Sequence, residues 1–380
     1  MSPRPICIIG AGLGGLTLGQ SLLKRGIPAV IYDRSSSKSR HSYGITLHKS
    51  TYQPLSNVLG LDPAAFCKEI AVDAGCGGSG NIDPSCLAHH SSSITRDSFR
   101  ANRQKLELLL RKDLDIRWEH QLDRVEYGHD EEVKLCMSGG QEVTTNHVIA
   151  SDGPHSRARM SVLPDIQPTV LPIVAFNGKR RVKRAVFNGL YSPLFNSGNI
   201  IETRKNGAIL SISISDVQND LVSISWIYSR AAKPQNDPLH RPTRPNAGAE
   251  EIPEQFYNEI SQLKDLDQPF ADVFDEKKLR SERILSWLMR TVDTSLGDLQ
   301  ATARKGVSFI GDAVHAEPIL GGEGANAAMA DGMELAEYIT AQGVDSVSKW
   351  YQTKYPTWRD SVEQSKRAVA EMHAVDKAAL

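Results

Sequence analysis

The order of apolar and polar positions divides the chain into stretches of different character. Near the start, Pro5-Ile6-Cys7-Ile8-Ile9 is an apolar run that reads as a buried strand. A helix is predicted from about Leu13 to Arg25 with Gly26 as its stop. Ala29-Val30-Ile31-Tyr32 predicts a second strand, ending at Asp33-Arg34. Two later segments also end an apolar strand in a carboxylate: Val148-Ile149-Ala150 runs into Asp152, and Val307-Ser308-Phe309-Ile310 into Asp312. Between about Pro168 and Trp287 the period changes. Ala208 to Ser215 alternates apolar residues with serine, and Val222 to Tyr228 nearly does the same after the polar connection Asp216 to Asp220. Period two on both arms predicts an antiparallel hairpin. Ala231 to Glu254 is proline-rich and reads as a long loop. In the tail, Ser346 to Ala374, residues Trp350, Tyr351, Tyr355, Trp358 and Val362 fall near helical spacing, with a kink expected at Pro356.

Length and charge narrow the picture. A chain of 380 residues is long enough for about two domains. Lys+Arg 44 against Asp+Glu 45 leaves a net charge of -1, which argues against a general nucleic-acid binder. The five cysteines form no C-x-x-C pair, so neither a disulfide framework nor a metal site is expected, and a cytoplasmic location fits. Ile6 to Leu23 carries no charge, but its five glycines argue against a membrane span, and no transmembrane segment is expected.

Those glycines carry the first chemistry. Gly10-Ala11-Gly12-Leu13-Gly14-Gly15 satisfies G-x-G-x-x-G between a strand and a helix. Gly10 permits the tight turn, Gly12 lets a diphosphate approach the backbone, and Gly15 lets helix and strand pack closely. The helix N-terminus offers free N–H groups and a positive dipole end. Asp33 follows Gly15 by eighteen residues, suited to an acid that accepts ribose hydroxyl hydrogen bonds. The unit reads as a dinucleotide site rather than a bare packing turn, with NAD(P) and FAD both open at this point.

The later segments are Asp152-Gly153-Pro154-His155-Ser156-Arg157-Ala158-Arg159 and Gly311-Asp312-Ala313-Val314-His315, the second continuing through Pro318 to Gly322-Glu323-Gly324-Ala325-Asn326 and a further helix. Each has a plainer reading: an Asp-Gly turn for Asp152, a helix N-cap for Asp312. His315-Ala316-Glu317 mimics the H-x-E of zinc deaminases, but no P-C-x-x-C follows, and His315 reads as structural in preference to a general base.

With G-x-G-x-x-G, D-G-x-x-S-x-x-R and G-D-A-x-H…P…G-x-G-x-N in this order, the chain resembles the group A FAD-dependent, aromatic hydroxylase-like flavoprotein monooxygenases. The resemblance covers about residues 5–50, 100–160 and 300–370. It implies an α/β fold: a Rossmann-like FAD-binding domain of residues 1–165 plus 290–380, including the C-terminal helix, and an antiparallel-sheet substrate domain of 166–289, with a contribution from 70–98. It assigns Gly10, Gly12, Gly14, Gly15, Asp33, Arg34, Gly44, Arg103, Asp152, Gly311, Asp312, Pro318, Gly322, Gly324, Ala325 and Asn326 to the cofactor. Arg34 would pack by the adenine, Arg103 would lie near the diphosphate and ribityl chain, and Gly44 would touch the flavin. Glu323 departs from the family's usual Gln. Backbone groups at that helix start would stabilise negative charge on the reduced flavin.

The implied activity is an NAD(P)H- and O2-consuming monooxygenase. One oxygen would pass from a flavin C4a-hydroperoxide to a small aromatic or polyketide- or alkaloid-like substrate, with no side chain as nucleophile or base. FAD would be bound, and NADPH or NADH would visit transiently, because a second Rossmann unit is absent. The alternatives are an FAD-dependent oxidase, dehydrogenase or reductase on the same fold, and a non-catalytic flavin-fold binding protein. Trp226, Tyr228 and His315 are carried as substrate-pocket residues, although a core role for the two aromatics is the favoured reading. Lys179 to Arg184 reads as a solvated strand surface in preference to a site for a nicotinamide 2′-phosphate.

Overall fold

Five short strands lie side by side in the order Val307–Phe309, Val148–Ala150, Ile6–Ile9, Ala29–Asp33 and Ile116–Trp118, and every pairing is parallel. The three strands carrying the glycine loop, Asp152 and Asp312 are therefore immediate neighbours, and their C-terminal ends share one edge. The structure, a computed structural model, describes residues 4–38, 42–82, 98–128, 132–195 and 198–374. Apolar runs form these strands because both faces are covered, and Ile8, Ile149 and Phe309 are buried.

The helix Leu13–Lys24 packs on the long helix Gly324–Gln342 through glycine. A Cβ on Gly14 would stand 3.2 Å from the Ala328 carbonyl oxygen, and one on Gly332 2.8 Å from that of Gly14. The closing helix Val347–Met372 runs on through Pro356 and buries Trp350, Tyr351 and Trp358 against the same core. No helix among the described residues is long and apolar enough to cross a membrane.

A second, antiparallel sheet has the order Ile200–Lys205, Ala208–Val217, Leu221–Ala231, Thr169–Lys183, Ile284–Thr291. The predicted hairpin is its centre, with Leu210 opposite Tyr228 and Ile212 opposite Trp226. Period two separates the two faces. One face presents Phe176, Leu210, Ile212, Ile224, Trp226 and Tyr228 to the helix Glu254–Ser261 and its neighbours, forming a core of its own. The opposite face carries Ser213, Ser225, Ile227, Ser229, Asn177 and Trp287. Residues 72–81 also reach this sheet: Val72 joins its core, and the Asn199 amide donates to Asp73 Oδ2 at 3.1 Å and the Asn81 carbonyl at 2.8 Å. The rest of the expected contribution from 70–98 falls on residues 83–97, outside the described residues, as does Cys86. The other four cysteines are free thiols.

Lys179 to Arg184 is split by the same alternation. Lys179, Arg181 and Lys183 are exposed, as expected of a solvated strand, but Arg180 turns inward to Asp272 at 3.1 Å and Glu282 at 2.5 Å.

Candidate cofactor and substrate site

Gly10 has φ +104, and a Cβ there would meet the Ser151 carbonyl oxygen at 2.6 Å; one on Gly15 would stand 2.1 Å from the Gly10 carbonyl oxygen. Neither position has room for a side chain: the Ser151 backbone blocks Gly10, and the Gly10 carbonyl together with the Ser151 hydroxyl, which bonds the carbonyls of Ile9 and Gly10, blocks Gly15. Gly12 differs: a Cβ there would meet nothing within 4 Å. The glycine loop is thus tight where it packs and open where a ligand would approach. Gly14, grouped with the cofactor residues from sequence, faces the Gly324–Gln342 helix instead, so packing is what the fold requires of it.

Asp33 holds the loop from the neighbouring strand. Its Oδ2 accepts from Ala11 N at 2.7 Å and its Oδ1 from Ser35 N at 2.7 Å, leaving one lone pair on each oxygen. Arg34 is exposed beside it.

Asp152 and Asp312 are placed on the adjacent strand ends. Asp152 Oδ2 accepts from Arg157 N at 2.8 Å, whereas Oδ1 is buried without a partner among the described residues. Asp312 has no hydrogen bond or ion pair among the described residues, and its Oδ1 lies 3.4 Å from where a Gly324 Cβ would be. Burial pushes both carboxyl groups above the usual carboxylate range. His315 and Arg103 act on Asp312 in the opposite sense. Arg103 itself opens the helix Arg103–Leu110 and bonds Glu107 at 2.8 Å and the Tyr43 hydroxyl.

Two buried residues that sequence reading left out of the site hold these loops in place. Arg159, 1% exposed, donates to the carbonyls of Ala313 at 2.5 Å, Pro154 at 2.7 Å and Ile166 at 3.4 Å, joining the Asp-Gly turn to the Gly311–His315 segment. Asp331, also 1% exposed, accepts from Gly311 N at 3.0 Å, His315 Nε2 at 2.6 Å and Trp358 Nε1 at 2.8 Å. The final R of D-G-x-x-S-x-x-R signalled Arg159; nothing in the pattern signalled Asp331, which lies mid-helix.

Asn326 performs a third join. Its Oδ1 accepts from His48 N at 3.1 Å and its Nδ2 donates to the Thr46 carbonyl at 3.0 Å, setting the start of the Gly324–Gln342 helix beside the strand Gly44–His48. Glu323, just before that helix, lies 3.0 Å from His48 Nε2. Pro318 is buried and Ala325 packs on the core; a Cβ on Gly322 would meet open space.

Three pocket assignments are corrected. Trp226 and Tyr228 lie on the sheet face that packs on helices, where Trp226 donates to Glu282 at 3.0 Å and Tyr228 to Glu259 at 2.7 Å. His315 stacks on Trp358 with centroids 4.6 Å apart and is anchored to Asp331, a structural place behind the loop. Burial disfavours its cation, but the Asp331 carboxylate outweighs this and raises its pKa. The face turned toward Gly44–His48 is the serine face. There the Arg100 guanidinium spans from Thr46 Oγ1 at 3.1 Å to Ser213 Oγ at 3.4 Å, and Asn102 Nδ2 donates to the Ser215 carbonyl at 2.7 Å. Across this face Glu202, Ser211, Ile227, Asn177 and Leu285 form one row, and Trp287 lies in the next. Ser211, Ile227, Leu285 and Trp287 are partly accessible.

The residues present fit FAD. Ribose and ribityl hydroxyls are donors, and Asp33, Asp152 and Asp312 keep acceptor capacity on one edge; the opening at Gly12 and the helix dipole suit a diphosphate. A family model described as an FAD binding domain matches residues 4–170. The FAD-dependent monooxygenase nscC of Neosartorya fischeri is 32% identical over 98% of this chain and 96% of its own length. AptC of Emericella nidulans, also an FAD-dependent monooxygenase, is 30% identical over 97% and 95%. Among solved structures, Klebsiella pneumoniae HpxO complexed with FAD and uric acid superposes with TM-score 0.69 at 15% identity, covering 100% of this chain and 91% of that one.

Proposed function

The chain belongs to the FAD-dependent monooxygenases, and on that premise we propose that it oxygenates a small, flat organic molecule held between the serine face of the antiparallel sheet and the Gly44–His48 strand. FAD is its cofactor. When bound, FAD supplies the redox chemistry, taking electrons from NADPH or NADH and using O2 as the source of the inserted oxygen. The protein's own part is binding, orientation and exclusion of water.

In this reading residues 1–165 and 290–380 hold the cofactor and 166–289 form the substrate wall. Asp33 receives ribose hydroxyls. The Leu13–Lys24 helix N-terminus and Gly12 amide face the diphosphate. Asp152 and Asp312 accept from the sugar and polyol chain, with Arg103 balancing the charge of Asp312. The start of the Gly324–Gln342 helix places amide donors where the reduced cofactor is anionic. Arg159, Asp331 and Asn326 fix those groups before the ligand arrives, so little reorganisation is needed during the reaction. The substrate rests on Ile227, Leu285 and Trp287 with Ser211 at its edge. Its partners are that substrate, O2 and the reduced nicotinamide, and its working compartment is the cytoplasm.

The observation that carries this reading is the convergence of three separate loops at adjoining strand ends, with Asp312 free of hydrogen bonds among the described residues and Asp152 Oδ1 buried without a partner among them. Purified protein is expected to be yellow and to oxidise NADPH faster when phenols or naphthols are supplied, with one atom of labelled O2 in the product. A colourless protein that takes up no FAD, or turnover without label, would refute it; turnover without O2 would point to a reductase.

A further inference from the structure

Arg100 differs from four other inward-facing arginines, although Arg111, Arg184, Arg241 and Arg244 share its buried, unpartnered Nε among the described residues. Arg103 has Glu107, Arg180 has Asp272 and Glu282, and Arg230 has Asp237 and Glu259; Arg159 has three carbonyls. Arg100 has two hydroxyls, Thr46 Oγ1 and Ser213 Oγ, and its Nε is buried with no partner among the described residues. No carboxylate among them lies within ion-pair distance; Glu202 and Tyr43 act on it only through space. Burial accordingly pulls the guanidinium down to about 10. Uncompensated charge of this kind is costly unless something pairs with it.

The position is also built. Arg100 stands opposite Thr46 in the Gly44–His48/Ser98–Asn102 ribbon and crosses over Gly44, where a Cβ would be 2.6 Å from its Nε and 3.0 Å from the Ile214 carbonyl oxygen. A side chain at 44 would displace it. It thus bridges the cofactor-side strand and the serine face, next to the partly accessible row of Ser211 and Ile227. Lys179, on the same sheet face, adds positive potential, its Nζ lying 5.3 Å from the Tyr43 ring centroid.

From this geometry we infer that Arg100 selects substrates carrying an anionic oxygen on a flat aromatic frame, either an ionised ring hydroxyl or a carboxylate. The inference rests on the functional reading above, because it takes the serine face as the substrate wall. Binding an acidic hydroxyl compound releases its proton to solvent, and the guanidinium holds the resulting oxyanion through charge-assisted hydrogen bonds. Such a bond is expected to favour the anion over its neutral counterpart roughly ten- to a hundredfold in Kd.

The test uses the oxidised holoenzyme without nicotinamide, titrated by flavin absorbance and fluorescence. The probes are lawsone (an acidic hydroxynaphthoquinone) with its methyl ether, and naphthoate with naphthamide. Wild type is expected to prefer at least one anion by tenfold or more, and which anion identifies the hydroxyl or the carboxylate as the recognised group. R100M is expected to lose the preference while retaining FAD and its affinity for the neutral probes, and R100K to keep part of it. Equal affinity for anions and neutrals in wild type, no binding of any probe, or a preference surviving in R100M would each overturn the inference while leaving the monooxygenase reading intact. Wild type that holds no FAD would overturn both.

Discussion

Replacing Asp331 with alanine tests whether the cofactor loop is held from behind. The substitution strands three buried donors: Gly311 N, His315 Nε2 and Trp358 Nε1, now at 3.0, 2.6 and 2.8 Å from its carboxylate. Each buried donor left unpaired costs about 1–3 kcal/mol, most for one bonded to a charge. A water entering the vacated space recovers part of that sum, so we expect a loss of about 3–6 kcal/mol. At roughly 2 °C per kcal/mol for a chain of this size, the holoenzyme midpoint should fall by on the order of 10 °C. Thermal unfolding followed by FAD fluorescence and by circular dichroism reads both effects, and FAD release should come first because Gly311 adjoins Asp312. A pH series adds a signature. Asp331 raises the pKa of His315 above its ordinary value of 6.5. The pair's stabilisation is therefore fully present below about pH 6.5 and is lost as pH rises through the higher folded value. Asp331→Asn should flatten that dependence and cost less, since an amide oxygen in the place of Oδ2 still accepts from Gly311 N and from the Nε2–H of a neutral His315, leaving only Trp358 Nε1 unpaired. A midpoint shift below about 2 °C for Asp331→Ala would refute the reasoning, as it leaves no room for three lost bonds.

Other outcomes follow from the same contacts. Gly15→Ala places a Cβ 2.1 Å from the Gly10 carbonyl oxygen and should abolish soluble expression or FAD content, whereas Gly12→Ala, facing open space, should fold normally and lose FAD affinity, as flavin-to-protein ratios after desalting would show. Arg159→Met removes a buried cation that joins two loops through three carbonyls and should destabilise by about 3–5 kcal/mol in urea unfolding, with FAD released at lower urea than the global transition. The two sheet faces should separate in kinetics: Trp226→Phe, which leaves Glu282 without its indole donor, should lower stability with KM unchanged. Ile227→Ala on the serine face should raise KM severalfold, beyond whatever stability it loses through its contact with the cluster of Ile173, Met289 and Val369. The reverse pattern would place the substrate on the other side of the sheet.

The cofactor-binding half was legible in the residues because its constraints are local. A glycine is required wherever a side chain would strike the adjoining turn, as at Gly10 and Gly15, and a carboxylate at a strand end is visible as an apolar run closed by Asp. The hairpin was legible because period two survives on both arms, and it formed as Ala208–Val217 paired with Leu221–Ala231. The helix of the tail was legible for the same kind of reason, although Pro356 did not interrupt it.

Tertiary structure decided what periodicity leaves open. Alternation shows that a strand has two faces, but only the placement of the Glu254–Ser261 helix shows that Trp226 and Tyr228 face a core and the serines face the Gly44–His48 strand. The groups that hold the loops act over long sequence separations: Asn326 on Thr46 and His48, Arg159 on Ala313, Arg100 on Ser213. A mid-helix Asp331 looks like any solvated acid until folding surrounds it with three donors. The sequence by itself determined the backbone conformations of those loops, because these depend on sterics among near neighbours, while the choice of FAD over a nicotinamide came from the order of all three motifs. Which charges end up buried, and which of them lack a partner, depends on what distant segments bring alongside, and that is settled only when the two sheets and the closing helix meet.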